Sequence, residues 1–281
     1  MLVVLLPTDF SENARNAAYI ASQLFKYRRV RFCLVHAAEA RLPVQPGSPE
    51  AGQLPVREQE FLSGLEDALE REWASLKEKL YNPRHIYEKR LLHVSLKDGM
   101  NPLVRELEAD IVVMGTQGQM ARAERSFGSR TLRAFKSLDC PVLAIPDGYA
   151  YQAPRRMVFA TDFRVPYKRR ELKLLCEMAG SYRSHLQLLY VSDSDALDPV
   201  QEDNKRFLEE ALHKAQIEFT AVPGGVRSET ILEYLEREAA HLLVMVNTRH
   251  GLIDRFLEQF TLDRLGMQVR IPFLVMQNRE R

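Results

Sequence analysis

The chain contains the same succession of segments twice, and this internal repeat constrains its fold more than any other feature. An apolar run that ends in Thr8-Asp9-Phe10 returns as a run that ends in Thr161-Asp162-Phe163. Two further apolar segments recur in the same order, and each half closes with a similar segment, at residues 140–145 and 271–276. Four paired segments in one order indicate two copies of a single fold.

We predict that the copies are two domains, at residues 1–150 and 151–281, joined near residues 147–154, where turn residues cluster. The spacing between matched positions falls from 153 to 131 residues along the chain, so the first copy holds about 22 additional residues. Most of this excess falls in residues 39–57, whose proline and glycine content predicts a loop.

Apolar runs alternate with amphipathic stretches in each copy, and Ser11 is placed to cap the first helix. The other elements predicted for the first copy are strands at 2–7, 31–37, 88–95, 110–115 and 141–145, and helices at 56–80, 101–108 and 126–138. The strands predicted for the second copy are 156–161, 185–191, 216–222, 241–246 and 272–276. Several strands are unbroken apolar runs, typical of strands covered on both faces. The fold class is therefore α/β, as two tandem doubly wound five-stranded parallel-sheet domains.

The composition excludes several classes of function. The formal net charge is +1 and neither half has an excess of one sign, so we expect no nucleic-acid partner. No apolar run approaches the roughly 20 residues of a membrane span, and the first residues do not resemble a signal peptide. The 3 cysteines are widely spaced, which argues against disulfides and metal knuckles. We expect a reduced, cytoplasmic protein without a resident metal site.

The strongest chemical signal follows the fourth strand of the first copy. Gly115 and Gly118 are separated by two residues, and nine residues later Gly128-Ser129 precede a helix. Glycines allow close approach of the backbone to an anion, and a helix N-terminus supplies N–H groups and partial positive charge. The spacing matches neither a Walker A loop nor a Rossmann fingerprint. From spacing alone, a nucleotide-phosphate site and a flexible connection capped by Ser129 both remain open.

These glycines, the opening Pro7-Thr8-Asp9-Phe10-Ser11 and the closing Cys140-Pro141-Val-Leu resemble the universal stress protein family over essentially the whole chain, in its tandem form. The resemblance implies the adenine nucleotide alpha-hydrolase-like fold and binding of ATP or a related adenine nucleotide. It also implies a pairing of the two copies as an intramolecular pseudo-dimer through their closing strands, with a homodimer left open.

The resemblance further implies a role for each matching residue of the first copy. Asp9 would face the ribose or a nucleotide-bound Mg²⁺, beside Pro7 and Thr8, and the backbone around Ala37 would meet the adenine. The remaining residues would line the nucleotide or hold its phosphates: Met114, Gly115, Gly118, Gly128, Ser129 and Arg130. No residue is assigned a catalytic role.

The second copy departs from this pattern. Asn247 falls where the first glycine is expected, Gly251 follows one residue late, and Thr261-Leu262 replaces Gly-Ser. Thr161-Asp162 remains, so part of a pocket is expected there, and Arg249 or His250 would be available to another anion. We therefore predict one nucleotide site per chain, in the first copy.

Three functions remain open from the sequence. The chain is predicted to be a stress-response sensor or regulator that binds an adenine nucleotide. The alternatives are a nucleotide-independent interaction scaffold with a vestigial glycine loop, and a slow ATP hydrolase. His36 ends a buried strand and is the obvious candidate base, although a histidine there is more often a structural residue satisfied at the strand edge. Cys33 and Cys140 lack the basic, helix-end setting of a reactive thiolate.

Overall fold

Strands and helices alternate along the whole described chain, as the repeat predicts. The computed structural model describes residues 1–38, 54–116, 127–192, 196–222, 228–248, 252–261 and 269–278. The first half contains β1 (Leu2–Pro7), α1 (Glu12–Leu24), β2 (Val30–Ala37), α2 (Leu54–Lys79), β3 (His85–Leu92), α3 (Leu96–Glu106), β4 (Ile111–Gly115), α4 (Ser129–Ser137) and β5 (Val142–Ile145). The second contains β6 (Arg156–Thr161), α5 (Arg169–Tyr182), β7 (His185–Val191), α6 (Pro199–Ala211), β8 (Gln216–Val222), α7 (Ser228–Arg237), β9 (Leu242–Asn247), α8 (Leu252–Thr261) and β10 (Phe273–Gln277).

The strands form one 10-stranded sheet in the order β3-β2-β1-β4-β5-β10-β9-β6-β7-β8. Within each half every pairing is parallel, whereas β5 and β10 pair antiparallel, with Leu143 opposite Leu274. The α/β class and the parallel sheet of each half are confirmed. The closing strands of the two halves do pair with each other, which satisfies the backbone groups of two edges that would otherwise be exposed.

The antiparallel pairing of β5 with β10, called the seam below, determines where the loops of each half lie. The carboxyl ends of the strands in the first half reach one edge of the sheet, and those of the second half reach the opposite edge. In each half the chain reverses its direction of travel across the sheet beside the first strand, between β1 and β4 and between β6 and β9. Ligands of doubly wound sheets bind at such switch points, outside the carboxyl ends of the strands.

The two faces of the sheet carry two continuous apolar cores, and each core runs through both halves. One core is formed with α1, α2, α5 and α6, and includes Ala17, Leu69, Leu175 and Leu208. The other is formed with α3, α4, α7 and α8, and includes Phe135 and Phe273. The two halves therefore share their buried surface instead of meeting only at the β5–β10 hydrogen bonds.

The boundary between β3 and α3 differs from the prediction. Residues 93–95 were expected to continue the strand and the helix to begin near 101, but β3 ends at Leu92 and α3 begins at Leu96. The side chain of Ser95 accepts a hydrogen bond from the N–H of Asp98 and caps the helix. Pro102 lies inside α3.

The additional length of the first half is only partly a loop. The helix predicted from residue 56 begins at Leu54, inside the predicted loop, and α2 has 26 residues against 13 in α6, its counterpart. Proline is compatible with the first turn of a helix, so the composition of this stretch did not exclude helix. Residues 39–53 lie outside the described part of the chain. No described helix is both long and apolar enough to cross a bilayer.

Candidate functional site

The loop after β1 is held in a strained and well-bonded conformation. Phe10 has φ 64°, which is uncommon for a residue with a side chain. The Phe10 N–H donates to Thr8 Oγ1 at 3.0 Å, and the Ser11 N–H donates to Asp9 Oδ1 at 3.2 Å. Ser11 in turn caps α1, as predicted, by accepting from the Ala14 N–H. These bonds fix the Asp9 carboxyl group at the carboxyl end of β1.

His36 joins the ends of β1 and β2. Its Nδ1 lies 2.8 Å from the backbone oxygen of Thr8, and its ring stacks on Phe10 with centroids 4.4 Å apart. This environment supports the structural interpretation of His36. Ala37, expected near the adenine, is half-buried at the same end of β2, and the next N–H, of Ala38, donates to Leu92 O at 2.8 Å.

The start of α4 is tied to the end of β4. The Gly128 N–H donates to Thr116 O at 2.6 Å, and Thr131 Oγ1 donates to Gly115 O at 3.1 Å. Gly128 is the N-cap with φ −69°, and Ser129 is the first helical residue, so the alternative that Ser129 caps the helix is wrong. Gly128 uses its own N–H on Thr116 and offers the helix N–H groups no side-chain acceptor. Gly118 lies outside the described residues.

The first motif glycine is required by packing within the fold. A β-carbon built on Gly115 would overlap the side-chain oxygen of Asn13 and lie 3.2 Å from the backbone carbon of the same residue. Asn13 is buried in α1, and its Nδ2 donates to Asp147 Oδ1 at 3.0 Å. Close approach of α1 to β4 therefore explains Gly115 without reference to a ligand.

Opposite charges meet across the switch point of the first half. Arg130 NH1 lies 3.6 Å from Asp9 Oδ2. Arg130 is the second residue of α4, whose first turn has no acidic side chain, and a cation there is disfavoured by the helix dipole. Asp9 offsets this charge in part, and a further anion beside the start of α4 would be stabilised by both the helix and the guanidinium group.

A small cavity lies against this part of the sheet. It has a volume of about 60 Å³ and is lined by three of the predicted residues, Pro7, Met114 and Arg130. Two further cations, Lys97 of α3 and Arg133 of α4, line it as well. Neither cation was among the residues predicted for the site. Arg133 could have been found as the i+3 neighbour of Arg130. Lys97 could not, because the predicted helix began near residue 101 and did not include it.

The corresponding loop of the second half has the same backbone but is closed by side chains. Phe163 has φ 55°, its N–H donates to Thr161 Oγ1 at 2.9 Å, and the Arg164 N–H donates to Asp162 Oδ1 at 3.1 Å. The hydroxyl of Tyr167 is buried against Thr161 and hydrogen-bonded to it, and burial raises the pKa of this phenol. The pocket fragment expected around Thr161 is therefore filled.

The register of the second half corrects the alignment of its glycine motif. Gly115 lies opposite Ile145 in the first half, and Val246 lies opposite Met276, the counterpart of Ile145, in the second. Val246, not Asn247, thus occupies the place of the first glycine, because the extra residue lies after this position. The glycine is absent in either alignment. Arg249, His250, Gly251, Leu262 and the side chain of Thr261 lie outside the described part of the chain.

A larger cleft lies elsewhere, at the junction between the two halves. It has a volume of about 720 Å³ and is lined by the β5–β6 connection, α7 and the residues before β10. None of the predicted site residues that the structure describes lines it, although Thr116 does. The candidate site is at the switch point, because the opposite charges of Asp9 and Arg130 meet there and Gly115 and Gly128 of the glycine motif lie beside them.

Metal and thiol chemistry find no support in the described part of the chain. No group of three or more His, Cys, Asp or Glu residues there could hold a metal ion. The three cysteines are buried and none of them forms a disulfide, and burial raises the pKa of the Cys33 thiol to about 11. Such a thiol is protonated at neutral pH and is a poor nucleophile.

Comparison with known proteins agrees with the fold described above. Residues 1–146 match the model of the universal stress protein family. A universal stress protein from Archaeoglobus fulgidus has a similar structure, with a TM-score of 0.62, 15% identity, and coverage of 98% of this chain and 96% of that one. A functionally unknown protein from Pseudomonas aeruginosa is also similar, with a TM-score of 0.57, 11% identity, and coverage of 98% and 92%. No curated protein matches significantly. At these identities the solved structures establish the fold alone.

Proposed function

The chain belongs to the universal stress protein family, and we propose that its first half binds an adenine nucleotide, ATP above all, at the switch point between β1 and β4. One observation carries this proposal. Lys97, Arg130 and Arg133 line the small cavity that runs along α4, and Arg130, near the start of that helix, also faces the carboxyl group of Asp9. Three cations and a helix N-terminus suit a polyphosphate, and Asp9 suits a ribose hydroxyl or a nucleotide-bound Mg²⁺.

The cavity holds only part of such a ligand. Its 60 Å³ is the volume of about two water molecules and is far below the roughly 300 Å³ or more of small-molecule pockets. In the proposed mode the phosphates lie at the start of α4, near Ser129 and Arg130, while the ribose passes Asp9. The adenine then extends over the open carboxyl edge towards Ala37.

We propose a binding and regulatory role and not rapid turnover. Asp9 accepts a hydrogen bond from the Ser11 N–H and faces Arg130, so its oxygens serve to position groups instead of removing a proton. The three cysteines are buried and form no disulfide, which supports a reducing, cytoplasmic location as part of the proposal. We also interpret the two halves, joined through β5 and β10, as an intramolecular pseudo-dimer.

Titration of the purified full-length chain with ATP by calorimetry tests the proposal. The repeat provides a matched pair of variants, because Asp9 and Asp162 make the same turn in the two halves. We expect one site per chain, weakened about tenfold or more by Asp9→Asn and unchanged by Asp162→Asn. Absence of saturable binding to the wild type, or equal effects of the two variants, would contradict the proposal.

A further inference from the structure

The last carbonyl groups of α4 have no partners within the helix and must find donors elsewhere. The Leu138 N–H satisfies Ala134 O, and Asn101 Nδ2 satisfies Ser137 O at 2.8 Å. The oxygen of Phe135 accepts from two side chains of the other half, Asn247 Nδ2 at 2.8 Å and Gln277 Nε2 at 3.0 Å. The end of a first-half helix is thus capped by second-half amides.

These two amides are buried and hydrogen-bonded to each other as well as to Phe135 O. Asn247 and Gln277 are 8% and 4% exposed, and Asn247 Nδ2 also donates to Gln277 Oε1 at 2.8 Å. Burial of an amide is costly unless its groups are hydrogen-bonded, so the pair is stable only with the Phe135 carbonyl in place. The register places Asn247 at the end of β9, opposite Gln277 on β10.

Aromatic contacts extend the attachment to both ends of α4. The rings of Phe135 and Phe273 have centroids 5.2 Å apart, and those of Phe127 and Phe273 are 5.9 Å apart. Phe127 directly precedes Gly128, the N-cap of α4, and Phe273 belongs to β10. The second half therefore contacts the residue before the helix as well as its last turn.

We propose that Asn247 and Gln277 are positioning residues for the nucleotide site, acting through α4. The helix has 9 residues and is about 13 Å long, so fixing its last turn also fixes the N–H groups and guanidinium groups at its start. Hydrogen bonds to phosphate oxygens tolerate only a few tenths of an ångström of misplacement. In this arrangement the second half contributes to the ligand site without touching the ligand, an inference that rests on the proposed nucleotide site.

Two variants remove the attachment to different degrees. Asn247→Leu removes one amide and its bond to Gln277, and Gln277→Met is the milder change that leaves Asn247 on the Phe135 carbonyl. The matched control is Gln201→Leu, a buried amide of the same half (3% exposed) that donates to Asp162 O and does not contact α4. Each is made in the full-length chain.

Amide hydrogen exchange in nucleotide-free protein gives the readout that does not depend on the ligand. We expect faster exchange in residues 129–138 for Asn247→Leu and Gln277→Met than for Gln201→Leu at the same global stability. Exchange of α4 that is equal in all three variants would overturn the proposal, whether or not the chain binds ATP.

Affinity measurements give the second readout. We expect Asn247→Leu to bind ATP at least about fivefold more weakly than the wild type, with adenosine binding unchanged, because only the phosphates depend on α4. Equal weakening of ATP and adenosine, or no weakening of either, would overturn the positioning role. Absence of ATP binding by the wild type would instead refute the proposed function, and the exchange experiment would still decide whether the second half holds α4.

Discussion

Asn13 packs so closely on the α-carbon of Gly115 that no β-carbon fits between α1 and β4. We expect Gly115→Ala to lower the free energy of unfolding by about 1–3 kcal/mol, as overpacked cores do. Urea denaturation of the full-length chain measures this change. In a double-mutant cycle, Asn13→Ala should recover part of the loss in the Gly115→Ala background, and strict additivity of the two changes would contradict the contact.

Gly64 offers the opposite case within the same half. It lies exposed inside α2, and a β-carbon there would meet nothing within 4 Å. Because alanine restricts the unfolded chain and favours helix, Gly64→Ala should raise the free energy of unfolding by about 0.5–1 kcal/mol. The same denaturation experiment serves, and a destabilising effect would show that α2 is not helical at this position in solution.

The cations around the small cavity should act on phosphate binding alone. We expect Arg133→Gln to weaken ATP binding by about two- to fivefold, with a smaller salt dependence than the wild type and no change in adenosine binding. Arg105→Gln is the control. Arg105 is exposed, as Arg133 is, but it lies near the end of α3, where it pairs with Asp139. Similar losses for both variants would indicate a general charge effect instead of a phosphate contact.

His241 should make the fold sensitive to acid. Its Nδ1 accepts the Arg156 N–H at 3.0 Å, and burial, followed by the charges of Arg156 and Arg155, lowers its pKa below the ordinary value. The folded state therefore binds this proton less readily than the unfolded chain. Neutral His241 therefore contributes to the free energy of unfolding in full above about pH 6.5, and this contribution is lost as the pH falls.

The variant His241→Asn isolates this contribution, because its side-chain oxygen can accept the same N–H and does not titrate. As the pH is lowered from 7.5 to 5, the free energy of unfolding should fall less steeply for the variant than for the wild type. An identical slope would exclude His241 as a source of the pH dependence.

Tyr182 connects the two halves on the other face of the sheet. Its hydroxyl group lies 2.8 Å from Gln23 O and 3.0 Å from Leu24 O, at the end of α1, and accepts from the Tyr151 hydroxyl at 3.1 Å. Tyr182→Phe should cost about 1–2 kcal/mol because a buried carbonyl loses its donor. Tyr19→Phe, at a residue 42% exposed, should have little effect. Calorimetric melting compares the two.

The sequence predicted the elements that depend on local pattern. Unbroken apolar runs located the strands of both halves, and Ser11 correctly marked the start of α1. The boundary at Ser95 was missed because Leu91 and Leu92 continue an apolar run, and the helix predicted from 101 in fact begins at Leu96. Strong local signals therefore located the elements well and their ends less well.

Contacts between the halves could not be predicted from pattern. Alignment of the two copies by sequence matched Asn247 with Gly115, whereas the hydrogen-bond register of the strands matches Val246 with it. The attachment of Asn247 to Phe135 depends on the β5–β10 seam, which brings together residues 112 positions apart. The place of Lys97 in the candidate site could not be predicted either, because only the folded chain shows that α3 borders α4.

The antiparallel seam also determines how other macromolecules can approach the protein. Because the strand ends of the two halves emerge at opposite edges of the sheet, a protein bound over the first-half loops leaves the second-half loops uncovered. Two partners can therefore occupy one chain at once without steric competition. In this geometry the proposed nucleotide site lies at one edge of the sheet, and the loops of the second half lie at the other.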